Sequence, residues 1–177
     1  MPQRLTRLAL LLGLTCLLAA CGFQLRGNSG ATALPEAWKV MYLDTGNPNS
    51  EFSRELKARF SANGITWAEE PADAAFILDL GPERFSQRNL SLNREARAAE
   101  FELTMASRFA VRKPGTSAPV IKPAEATVIK QMENDPRNVV GKAEEIRIIK
   151  GEMRVELAQQ ILRRIGFFAA NASASAN

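Results

Sequence analysis

The sequence predicts an α+β fold: a two-layer sandwich with two helices packed on one face of a mainly antiparallel four-stranded sheet, in the order βαβββα. Three observations carry the prediction. Two segments repeat apolar residues every three or four positions, and a third alternates apolar with polar residues over most of its length. Elements that are apolar on one side only satisfy each other when stacked in layers.

Trp38 to Asp44, "WKVMYLD", reads as the first strand, with Trp38, Val40 and Tyr42 on one face and Met41 and Leu43 on the other. "TGNPN" then turns the chain. Ser50 to Asn63 reads as a helix: Ser50 is the N-cap, Glu51 suits the positive end of the dipole, and Phe52, Leu56 and Phe60 recur every four residues. Asn63-Gly64 stops it. "AAFILDL" begins a second strand that continues past Pro82 to Ser86, and the missing donor of Pro82 places it at an edge or a bulge.

The third strand is the clearest. Phe101, Leu103, Met105, Phe109 and Val111 take one face; Glu100, Glu102, Thr104, Arg108 and Arg112 take the other. "KPGTSAP" turns, and Val120 to Met132 returns as the fourth strand, weakened at its start by Pro123. The last helix spans about Ala143 to Ile165, with a stripe of Ile146, Ile149, Met153, Leu157, Ile161 and Ile165. Gly151 is a local weakness and Gly166 the expected cap. Residues 169–177 are expected to be a disordered tail, being too small and polar to bury anything.

Ahead of these elements, residues 1–20 have the layout of an export signal to be cleaved. Arg4 and Arg7 precede an uncharged apolar run, Leu8 to Leu18. As a helix that run would be about 16 Å long, whereas a membrane span needs about 20 residues. It suits a signal-peptide core. Leu18-Ala19-Ala20-Cys21 resembles the lipobox of bacterial lipoproteins, in which the thiol accepts a diacylglyceryl group. Several acyl chains, at about 0.8 kcal/mol per buried methylene, hold a protein durably at a membrane. Gly22, where an aspartate would favour inner-membrane retention, favours the outer membrane. Residues 21–35 are then a lipidated N-terminus and tether, and residues 36–168 a single domain.

That assignment uses both cysteines: Cys16 leaves with the signal and Cys21 is acylated, so none remains for a disulfide or a metal. Loss of Arg4 and Arg7 leaves 21 basic against 19 acidic residues, a balance that says nothing about partners. Nucleic acid is not expected as a partner of an exported, tethered chain. Histidine is absent, which removes the commonest general base, the Ser-His-Asp and Cys-His arrangements and most zinc sites. The adjacent pairs Glu69-Glu70 and Glu144-Glu145 are better read as exposed charges than as an acid–base couple. No phosphate loop or calcium loop occurs. The balance favours binding or assembly, with neither catalysis nor a cofactor.

"CGFQLRG", "WKVMYLDTGNPN", "FSRELKARFSANGI", "AAEFELTMASRFAV" and the Asp135-Pro136 turn, in this order and spacing, resemble the LptE family of LPS-assembly lipoproteins. The resemblance covers about residues 21 to 166. It implies a non-enzymatic lipoprotein subunit of the outer-membrane lipopolysaccharide translocon. Such a subunit forms a 1:1 complex as a plug inside the LptD β-barrel, assists barrel assembly, and binds lipopolysaccharide during its insertion into the outer leaflet. Lipid A carries phosphates, so its binder needs guanidinium or ammonium groups at a loop or strand end. By the family pattern Arg94 and Lys142 match the LPS-binding basic residues, with Arg97 and Arg137 as secondary candidates. "NREARAAEF" lacks the glycine common in that hairpin, which leaves the direction of Arg94 open. Solvated surface charge or contact with the barrel wall is the alternative for these residues. A stand-alone lipoprotein that binds a lipid or peptide without a barrel is the alternative for the whole chain.

Overall fold

The computed structural model describes residues 34–92, 98–134 and 139–174. The elements among them are β1 (Val40–Thr45), α1 (Glu51–Ser61), β2 (Thr66–Trp67), β3 (Phe76–Leu80), β4 (Arg84–Leu92), β5 (Ala98–Arg112), β6 (Pro119–Glu133) and α2 (Val139–Ala174). Short 3-10 turns at Glu36–Trp38 and Pro71–Asp73 precede β1 and β3.

The class is α+β, but the sheet is mixed and six-stranded, not four-stranded and mainly antiparallel. β1 lies between β2 and β3 and is parallel to both. The cause is α1, which carries the chain back to the end where β1 began, so the next strands run the same way. β2 was not expected because two residues, Thr66 and Trp67, are too few to show an alternation. Antiparallel β3 and β4 share one edge of β5, β3 along Phe109–Arg112 and β4 along Ala98–Ala106, while β6 runs along the other edge.

The expected second strand is thus β3 and β4 end to end, interrupted at residues 81–83 around Pro82. Ser107 closes the gap. It is buried on the inner face of β5, and its hydroxyl donates to the Gly81 carbonyl at 2.9 Å. The Gly81 N–H donates to the Arg108 carbonyl at 2.8 Å. A β-carbon on Gly81 would stand 3.3 Å from that Arg108 oxygen, a tight approach that favours glycine. Pro123 falls where β6 carries an extra residue between the pairs Phe109–Ala124 and Val111–Ile121, a bulge that spares its missing donor.

The inward faces follow the expected alternation. Phe101, Leu103, Met105, Phe109 and Val111 join Met41 and Leu43 in one core with Phe52, Leu56 and Phe60 of α1 and Met153, Leu157, Ile161 and Ile165 of α2. Both helices therefore cover the same face. Ser50 caps α1, accepting from the Ser53 N–H at 3.0 Å. Trp38 departs from the expectation: it lies in the 3-10 turn, not in β1, and stacks on Phe76 with ring centroids 3.8 Å apart. Burying the indole against the core outweighs extending the strand by two residues.

α2 is longer at both ends than Ala143 to Ile165, and Gly166 does not cap it. The segment expected as a tail is helical as far as Ala174. Local rules give way here to two contacts and to composition. The Phe168 ring meets Trp38 edge-on at 6.2 Å, Ala169 is fully buried, and alanine is the best helix former.

The uncovered face of the sheet carries crossed ion pairs. Arg88 meets Glu102 at 2.6 Å, Arg84 and Arg108 converge on Glu125, and Arg112 reaches Asp79 at 3.1 Å and Asp44 at 2.9 Å.

Candidate functional site

β5 begins and β6 ends at the same end of the sheet. Glu100 pairs Glu133, Leu92 pairs Ala98, and the Asn134 N–H donates to the Ala99 carbonyl at 2.8 Å. The connection from Leu92 to Ala98 and the connection from Asn134 to α2 therefore leave neighbouring strands side by side. These connections carry Arg94, Arg97 and Arg137, which lie outside the described residues, as does Cys21.

Lys142, on the first turns of α2, is described and stands at this end. Its ammonium lies 4.1 Å from the centroid of the Phe101 ring and donates to Asn134 Oδ1 at 2.7 Å. An aromatic face and an amide oxygen hold the cation without neutralising it. Lys150, eight residues along α2, is held alike, 4.0 Å from the Phe85 ring. Among the described residues neither lysine has a carboxylate partner. The sequence reading missed Lys150 because no family position pointed to it; its spacing from Lys142 on one helix was the available signal.

Acidic groups are present as well. Glu100 accepts from the Ser91 hydroxyl at 3.1 Å and faces Glu133 across the strands, on the side away from α2. The Arg88 hydrogen bond holds the Glu102 carboxyl below its usual range, and Arg147 does the same for Glu144. Lys130 is raised above its ordinary value by hydrogen bonds to Glu156 and Glu152 of α2. Of these pairs, Lys130 fastens sheet to helix, Arg88 joins β4 to β5 and Arg147 stays within α2, whereas Lys142 and Lys150 are left with charge to offer an anion. The pairs Glu69-Glu70 and Glu144-Glu145 are exposed. No group of three or more potential metal ligands occurs among the described residues.

β6 is an edge strand that α2 guards. Gln160 Oε1 accepts from the Thr127 N–H at 2.9 Å, and Arg164 donates to the Glu125 carbonyl at 2.7 Å. The chain enters the domain at the opposite end from Lys142, since Trp38 meets Phe168 of α2. Lys142 and Phe168 are separated by about 39 Å of helix at the α-helical rise.

The frame is two-layered, and Lys142 and Lys150, without a carboxylate partner among the described residues, stand on the N-terminal half of α2. It belongs to the class of two-layer α+β domains with a mixed sheet. More narrowly, the chain is a member of the LptE family: the model for "LptE: Lipopolysaccharide-assembly" matches residues 38–165. It is 29% identical over 161 residues to the LPS-assembly lipoproteins LptE of Yersinia pestis (strain Pestoides F) and Yersinia pseudotuberculosis (serotype O:1b, strain IP 31758). Each match covers 89% of this chain and 74% of the relative. Among solved structures, the rare lipoprotein B of Shewanella oneidensis is similar at a TM-score of 0.67 and 25% identity, covering 76% of this chain and 98% of that one. An uncharacterized lipoprotein B of Nitrosomonas europaea shares the fold at a TM-score of 0.69 and 21% identity, covering 84% of this chain and 93% of that one. The family is non-enzymatic and acts in lipopolysaccharide assembly.

Proposed function

We propose that this protein, acylated on Cys21, is the outer-membrane lipoprotein subunit of a lipopolysaccharide translocon. It sits as a plug in the lumen of an LptD-type barrel, assists the barrel's assembly, and binds lipopolysaccharide during insertion. Binding uses Arg94, Lys142, Arg97 and Arg137, with Lys150 as a further cation along α2. The observation that carries this reading is the shared end of the sheet. Asn134 bonds to Ala99 and Lys142 lies over Phe101, so the two connections bearing these residues leave together. Guanidinium and ammonium groups borne on these connections would suit the phosphates of lipid A. The ion-paired outer face of the sheet is polar enough to meet a wet barrel wall.

Isolation in mild detergent tests the proposal. The expected result is a stable one-to-one complex with a much larger barrel protein, and binding of lipopolysaccharide by that complex. A chain recovered alone, with no affinity for barrel or glycolipid, would overturn it.

A further inference from the structure

We propose that the C-terminal end of α2 rests on the phospholipid surface to which the protein is tethered. Phe167 is 71% exposed, the most exposed large apolar side chain among the described residues. Arg163 stands one turn before it on the same side of the helix, also exposed and with no carboxylate partner among the described residues. The exposed Ala170 follows one turn on. An aromatic ring beside a guanidinium is the pairing that settles at the boundary of headgroups and acyl chains, the ring in the apolar part and the cation among phosphates. One ring and one cation are too small for a stable protein interface, which needs about 800 Å² on each partner.

The position of the tether selects the lipid. Leu34 is buried, the Trp38 N–H donates to the Pro35 carbonyl at 2.8 Å, and Trp38 meets Phe168, the neighbour of Phe167. The chain therefore joins the domain beside this patch. Cys21 lies thirteen residues before Leu34. As a flexible coil such a length reaches about 20 Å, and fully extended about 45 Å. A bilayer held that near is presented to Phe167 at high effective concentration, so a contact too weak to bind alone becomes occupied. The inference rests on the acylation of Cys21 but not on the barrel.

The test uses the full acylated chain in vesicles of phosphatidylethanolamine and phosphatidylglycerol, with a nitroxide on Ala170→Cys and a reference label on Ser86→Cys of β4. Flotation with the vesicles reports the anchor. The ratio of oxygen to water-soluble nickel accessibility at each label reports the contact. The ratio at position 170 is expected to be severalfold higher than at 86. It should fall to the reference value in Phe167→Ser with Arg163→Glu, without loss of flotation. A chain that floats with equal ratios at both labels would overturn the contact and leave the anchor standing. So would a label at 170 shielded from both reagents, the sign of a protein partner covering it. A chain that does not float overturns the anchor and the contact together.

Discussion

Lys142 places its ammonium 4.1 Å from the centre of the Phe101 ring, and its hydrogen-bond partner among the described residues is the neutral Asn134. Its charge is therefore positioned but unspent. Lys142→Met keeps an apolar stem over Phe101 and removes the cation. Lipopolysaccharide affinity should fall about tenfold, the equivalent of about 1.4 kcal/mol for one charge-assisted contact. Lys142→Asp with Arg94→Asp should weaken binding further while the barrel complex still forms. Titration of labelled lipopolysaccharide into the purified complex measures both, and wild-type affinity in the double variant would remove these residues from the site.

Ser107 and Gly81 hold the junction of β3 and β4. Ser107→Ala leaves the Gly81 carbonyl without that donor and should cost about 1 kcal/mol. Gly81→Ala forces the Arg108 carbonyl to give way and should cost at least as much. Because both act on one junction, the double variant should be less destabilised than the sum of the singles. Urea melts of the three variants check this; strict additivity would mean the two residues act separately.

These two cases show how much was legible in the sequence. The inward face of β5 was, because a sheet dry on one side imposes a period of two on its residues. So was α1, whose cap and apolar stripe are local. The parallel pairing of β1 with β3 was not, since nothing in either strand records which neighbour it takes. The length of α2 was misread because Gly166 obeys a local stop rule that Trp38, distant in sequence, overrides through Phe168. For the site, Lys142 could be picked out as a charge. Its neutral surroundings come from Phe101 and Asn134, which only the fold brings beside it.

Arg154 joins three segments. It meets Glu83 through two bonds of 2.7 Å and also pairs with Glu51, tying α2 to the gap after β3 and to the start of α1. Its side chain is 17% exposed and that of Glu83 25%, so the pair is partly desolvated. Arg154→Lys cannot keep the bidentate geometry. It should cost about 2 kcal/mol, between the value for exposed pairs and that for buried ones. Arg154→Met, which leaves Glu83 unpaired, should cost no less. Thermal melts of both variants against the parent chain provide the check.

Glu102 supplies a pH test. The hydrogen bond from Arg88 holds its carboxyl below the ordinary range, so the pair stabilises the fold above the unfolded-state value and loses that contribution as pH falls through the folded-state value. The difference in melting temperature between the parent chain and Glu102→Gln should therefore be present at neutral pH and shrink below about pH 4, where carboxylates ordinarily protonate. Arg88 is exposed and Glu102 only half-buried, so high salt at neutral pH should shrink it too. A difference that persists in acid would assign it to the lost shape of the side chain, not to its charge.

The end of α2 separates a tail from a structural turn. Ala169 is fully buried and Phe168 packs on Trp38, whereas Ala170, Asn171 and Ala172 are exposed. Deleting residues 173–177 should leave the melting temperature within about a degree, because surface changes away from such contacts are worth less than about 0.5 kcal/mol. Deleting residues 168–177 removes the Phe168 ring and the buried Ala169 methyl, and should cost about 2 kcal/mol or more. Trp38 would lose its edge-on partner and gain water contact, so its fluorescence should shift to longer wavelength in the longer deletion only. Equal melting curves for the two truncations would mean the last turns of α2 contribute nothing, and the domain would end at Phe167.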